Sequence, residues 1–171
     1  MDSATKLRYK IPLLKLMLVK EEGRKQAPKI KSALDAAKLF SPLGFASEEH
    51  FVSLHLNTKF EVIGLHEVSH GTLSASLVHP REVFKAALVA NSYAIIVCHN
   101  HPSGASLEAS REDFETTEKL ISAGKLLGVS LLDHLILGLG AAGRRLSAKN
   151  FDPARIFSFR ESHPELWEKG S

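Results

Sequence analysis

Apolar residues along the chain recur at two different spacings, and their boundaries mark out the elements. Residues 6–20 begin with basic/apolar alternation and then turn more apolar, which predicts a half-buried strand demoted to a sheet edge by Pro12. After a charged, turn-like stretch, Ile30, Ala33, Leu34, Ala37 and Leu39 stand near helical spacing, and Ser41-Pro42-Leu43-Gly44 stops that helix near Phe40. Residues 51–56 and 61–65 flank Asn57-Thr58-Lys59 as a hairpin whose second arm runs on through Val68. Pro80 sits where a helix accepts a first-turn proline, with Val83, Phe84, Ala87 and Leu88 on one face and an end near Asn91. Residues 93–98 are almost wholly apolar, as in a strand buried on both faces. Ser110 opens a long helix carrying Phe114, Thr117, Leu120, Ile121 and Leu127, closed by Gly128. Residues 129–139 form another apolar strand that runs into a glycine-rich turn, and beyond Phe151 the chain is polar and weakly patterned. Strands and helices therefore interleave, which predicts an α/β fold with one mixed sheet flanked by helices.

Length and composition narrow the class. A chain of 171 residues has room for one ordinary domain, and 44% hydrophobic with 24% charged residues is the balance of a folded globular protein. No apolar run approaches the roughly 18 residues of a membrane span. The start is acidic, and Pro12 and Lys15 break the only apolar stretch near it, so a secretion signal is not expected. A single cysteine, Cys98, excludes an internal disulfide and a cysteine-built zinc knuckle. The expectation is a cytoplasmic protein without membrane contact. It would comprise a basic extension over 1–27, a domain over 28–150 and a polar tail over 151–171. Nine Lys or Arg against three acids leave residues 1–31 at +6, with the remainder at −3. Lys6, Arg8 and Lys10 could touch DNA or another polyanion, or could simply guard a solvated edge strand.

Candidate chemistry concentrates in His99-Asn100-His101-Pro102, where the buried strand runs out. Residues two apart in extended backbone point the same way, so both imidazoles face one side. Asp113 lies in the first turn of the following helix, within reach of them. Two His and one carboxylate leave open positions on a divalent cation, the arrangement of catalytic zinc and facial-triad iron sites. Glu67, isolated on the preceding strand, is the candidate general base. Ser110 and Asp113 also form an ordinary helix cap. Asp133 and His134 interrupt an apolar strand, so one of them should be buried and paired. Alternation turns Cys98 away from His99.

Together, His99-x-His101-Pro102 and Ser110-x-x-Asp113 with an upstream Glu resemble the JAMM signature of JAB/MPN metalloproteases. Gly71-Thr72-Leu73, His79 to Phe84, His99 to Gly104 and Leu132 to Ile136 resemble the RadC branch, over roughly residues 28–150. The resemblance implies a cytidine-deaminase-like MPN/JAB fold with one Zn2+ per chain held by His99, His101 and Asp113. It also implies that Glu67 holds the catalytic water and that the Ser110 hydroxyl stabilises an oxyanion. Ala109 stands where RadC proteins commonly carry proline. The amino-terminal helix-hairpin-helix-like region of full-length members has no counterpart in residues 1–27. The implied activity is hydrolysis of a peptide or isopeptide bond. The alternatives are a DNA-associated repair or recombination protein, or a metal-dependent nuclease using the same site.

Overall fold

The computed structural model describes residues 28–71, 78–102, 107–138 and 155–168. The first 27 residues, with Lys6, Arg8 and Lys10, and the glycine-rich turn after Gly138 lie outside the described residues. Helix α1 (Ala33–Leu39) is capped by the Ser32 hydroxyl, which accepts from Asp35 N, and passes into a 3-10 turn at Ser41–Phe45 carrying Pro42. Strands β1 (Glu49–Leu56) and β2 (Val62–Gly71) form the expected hairpin. Its turn is held by Asn57, whose Oδ1 accepts from Lys59 N and Glu61 N at 2.9 and 3.0 Å. Helix α2 (Pro80–Val89) leads to strand β3 (Ala94–His101), and helix α3 (Arg111–Leu127) leads to strand β4 (Ser130–Gly138).

With a last short strand β5 (Ile156–Ser158), the sheet has the order β2-β1-β3-β4-β5, antiparallel except for the parallel pair β3/β4. It is mixed and flanked by helices, as the interleaved pattern implied. Strand β3 lies at its centre and is buried from Ala94 to Asn100. Alternation along β3 divides the core in two. On the front face, Ile95 and Val97 pack with Phe51, Val83, Phe84 and Leu120 beneath α2 and α3. On the back face, Ile96 and Cys98 pack with Val52, Leu54, Ala37 and Phe40 beneath α1. Cys98 thus turns away from His99, and its burial pushes the thiol pKa up. Leu88 departs from expectation at 47% exposed. At about 100° per residue it stands roughly a quarter-turn from the stripe formed by Val83, Phe84 and Ala87.

The polar tail expected after residue 151 is corrected for residues 155–168. Strand β5 (Ile156–Ser158) pairs with β4, and the short helical turns α4 (Phe159–Ser162) and α5 (Glu165–Glu168) return to the front face. Phe159 is wholly buried there, and Trp167 Nε1 donates to Leu131 O at 2.7 Å. Three strand residues are too few to produce a readable alternation. The Asp133 carboxylate anchors the segment by accepting from Ser158 Oγ, Arg160 N and its neighbour's His134 N, at 2.7, 3.0 and 2.7 Å. Burial pushes its pKa up to about 6 against the pull of those donors.

Two outcomes follow from this packing. Gly124 lets α3 approach the connection to β4, because a Cβ there would meet Val129 O at 2.5 Å. Gly→Ala inside a helix ordinarily stabilises by about 1 kcal/mol. Here the obstacle is backbone, so Gly124→Ala is expected to lower the urea midpoint instead, with a net loss of about 1–3 kcal/mol. A gain in stability would show that α3 shifts freely. His55 is buried with Nδ1 against Ser92 Oγ at 3.0 Å. Burial, aided by nearby His66, lowers its pKa to about 4. Unfolded, it takes up a proton near pH 6.5, so the unfolded state binds more protons between these values and His55 costs stability as pH falls through that window. Urea unfolding of wild type and His55→Gln at several pH values should therefore diverge by about 3 kcal/mol from neutrality to pH 4. The wild type should lose more, and a pH-independent difference would show that the imidazole titrates normally.

Candidate metal centre

The site is built on the carboxyl end of β3. The strand does not stop at Cys98 but continues to His101, just before Pro102, so both histidines belong to a hydrogen-bonded strand rather than to a loop. His99 and His101 share the front face with Val97, and Asn100 faces the back. Ser110 caps α3 and delivers the third group. Its hydroxyl accepts from Asp113 N at 3.2 Å, and its N–H and O–H donate to Asp113 Oδ2 at 2.8 and 2.7 Å. That leaves Oδ1 facing His99 Nε2 at 3.2 Å.

The structure brings His99, His101 and Asp113 together, with one ligand atom from each lying within 4.8 Å of the others. His99 Nε2 lies 3.0 Å from His101 Nε2, and His101 Nε2 lies 3.9 Å from Asp113 Oδ2. Ligands about 2.1 Å from a tetrahedral zinc ion stand roughly 3.4 Å apart. The donor set therefore fits such an ion and leaves its fourth position open. Burial opposes ionisation of Asp113. Even so, a protonated His99, by hydrogen bond and charge, and the Ser110 donors hold its carboxyl well below the usual range. Phe51 stacks parallel to His99, with centroids 6.0 Å apart at 6°, so apolar surface backs the ligand.

Behind His99 lies a second histidine. His99 Nδ1 meets His134 Nε2 at 2.9 Å, and His134 Nδ1 meets Thr117 Oγ1 at 2.7 Å. His134 is wholly buried, and its pKa is lowered first by that burial and then by the adjacent His99. Phe159 stacks on it with centroids 4.9 Å apart at 15°. Both Asp133 and His134 are therefore buried and paired, where one was expected. Phe159 could not be read as part of this centre from sequence, because it belongs to the unpatterned segment.

Glu67 and Ser110 make other contacts than their expected roles require. Glu67 is not brought to the cluster. It pairs with Val52 in register, which puts it on the back face with Cys98. Its carboxylate instead meets His70 Nδ1 at 3.1 Å and His50 Nδ1 at 3.6 Å, half-exposed to solvent. A carboxylate on a sheet can reach only the face its register allows. Ser110 spends its one hydroxyl proton on Asp113 Oδ2, so it orients a ligand rather than facing a substrate oxygen. The sequence reading also missed Glu49. Strand β1 starts there, two residues before the expected Phe51. Phe51 pairs with His99 as the last pair of the β1/β3 register, and Glu49 lies two residues before it on the same face of β1. Period-two counting back from Phe51 would have found it, but the apolar run that marked the strand began only at Phe51.

The profile of the RadC-like JAB domain matches residues 30–150, which span strands β1 to β4 and all three ligand candidates. The chain belongs to the RadC-like JAB domain family. A UPF0758 protein of Methanosarcina mazei is 47% identical over 123 residues, covering 71% of this chain and 52% of that protein. One from Geobacillus sp. is 48% identical over 110 residues, covering 64% and 48%. One from Caldanaerobacter subterraneus is 40% identical over 147 residues, covering 85% and 60%. This RadC-like chain thus spans about half the length of the curated relatives it matches first. Among the described residues of the RadC-like domain, no helix is long and apolar enough to cross a membrane.

The start of β1 is tied to β3 by Asn100, which is buried. Its Oδ1 accepts from His50 N at 2.7 Å, and its Nδ2 donates to Glu48 O at 2.9 Å. Asn100→Ala leaves both backbone groups unpaired and is expected to cost about 2 kcal/mol or more in urea unfolding. An unchanged midpoint would mean that water replaces the amide.

Proposed function

We propose that this RadC-like domain is a zinc-dependent hydrolase of peptide or isopeptide bonds. The observation that carries the reading is the convergence of two imidazoles and an ionised carboxylate at the end of a buried strand. His99, His101 and Asp113 would hold the ion. When bound, zinc supplies Lewis acidity, polarising a carbonyl and lowering the pKa of water. Glu49 takes the role first given to Glu67. Its carboxylate accepts a proton from the attacking water and returns it to the leaving nitrogen. Ser110 keeps Asp113 Oδ1 turned toward His99 by occupying Oδ2. Phe51 keeps bulk water from one flank of His99.

Elemental analysis of protein purified without a tag or added metal tests the centre. Wild type should carry about one zinc per chain, and folded Asp113→Ala should lose most of it. Hydrolysis of a panel of peptides and lysine-linked isopeptides then separates the two carboxylates. Glu49→Gln should retain zinc and lose about a hundredfold or more in turnover, while Glu67→Gln stays near wild type. The reverse pattern would return the base to Glu67. A wild-type protein without zinc would sink the hydrolase reading.

A further inference from the structure

Thr117, His134 and His99 form a chain of hydrogen bonds whose directions can be assigned by counting protons. Thr117 Oγ1 lies 2.6 Å from the backbone carbonyl of Asp113. A carbonyl only accepts, so the threonine proton lies on that contact. With its proton committed, Oγ1 meets His134 Nδ1 at 2.7 Å as an acceptor, and Nδ1 must carry the hydrogen. His134 is wholly buried, and the partners of its ring nitrogens are a hydroxyl and an imidazole rather than a carboxylate. A neutral ring with its proton on Nδ1 offers a lone pair at Nε2. That lone pair faces His99 Nδ1 at 2.9 Å, so His99 Nδ1 donates, and in the neutral His99 ring Nε2 is left bare. The bare nitrogen points at Asp113 Oδ1 and His101 Nε2, at 3.2 and 3.0 Å. The chain begins on the Asp113 carbonyl and returns to the Asp113 carboxylate.

We infer that Thr117 and His134 are positioning residues that lock His99 in its Nδ1–H tautomer and hold its Nε2 lone pair toward a divalent cation. The inference rests on the metal centre proposed above and adds how that centre is prepared. Two rings flank the relay and keep His134 from turning, Phe159 stacked at 4.9 Å and Phe51 tilted at 5.5 Å. The tautomer of one ligand is thereby set by the helix backbone that carries another. A bare nitrogen 3.2 Å from a carboxylate oxygen is repelled unless a proton or a metal cation lies between them. The relay therefore raises the energy of the metal-free centre relative to the loaded one. Metal ligands generally depend on such outer partners, whose loss typically weakens binding ten- to a hundredfold.

The test uses the whole chain, with zinc as the probe. Zinc affinity is measured by chelator competition for wild type, Thr117→Val and Thr117→Ser, and imidazole 15N shifts are recorded for each protein without metal near pH 8. Wild type should show protons on Nδ1 of both His99 and His134. Thr117→Val keeps the shape but removes the acceptor, so it should mix the tautomers and weaken zinc binding about ten- to a hundredfold. Thr117→Ser should restore both readings, which a purely steric role for Thr117 would not require. Wild-type affinity in Thr117→Val, or a His99 proton resident on Nε2, would overturn the relay. Should Thr117→Val fail to fold, the tautomers of wild type decide the matter alone. If wild type binds no zinc, the hydrolase reading fails, while the 15N spectrum still decides the relay.

Discussion

Everything at this centre depends on a central strand buried on both faces and hydrogen-bonded along both edges. Strand β3 receives bonds from antiparallel β1 and parallel β4, so its backbone polar groups are satisfied without water. That permits an almost unbroken apolar run, Ala94 to Cys98, and it fixes which way each later residue points. His99 and His101 inherit the front face because Ile95 and Val97 already occupy it. Asn100, between them, inherits the back, where it ties down the start of β1. One strand thus orients two ligands and secures the element carrying Glu49.

The polar groups behind the ligands are sustained by the same enclosure. An isolated carboxylate or imidazole in an apolar core is costly, and the cost falls only when each donor and acceptor finds a partner. Asp113 meets this with two bonds from Ser110 beside the His99 ring, and Asp133 with three from Ser158, Arg160 and His134. Because these contacts lie in a low-dielectric interior, each is stronger and more directional than it would be in water. The final segment contributes by supplying Phe159 as a lid on His134 and by satisfying Asp133 through the start of α4.

Long elements with a strong period were readable before any coordinates. The hairpin 51–65, the helix begun at Ser110 and closed by Gly128 in its left-handed conformation, and the strand over 129–139 all lie within a few residues of where their patterns end. The His-x-His spacing was equally legible, because a separation of two on a strand means one face whatever surrounds it. Short or interrupted elements were not. Strand β5 has three residues, and the first two of β1 carry no apolar marker.

What the sequence determined by itself was therefore local. It set the α/β order, the pairing of His99 with His101 and the place of Asp113 one turn into a capped helix. Register and sheet order came only with the tertiary structure, because they depend on which strands lie side by side, a property no short stretch of chain possesses. One residue of register separates the front of this sheet from its back. That difference assigned Glu67 to His50 and His70, kept Glu49 on the face of β1 that carries Phe51, and put His134 behind His99 across 35 residues of chain.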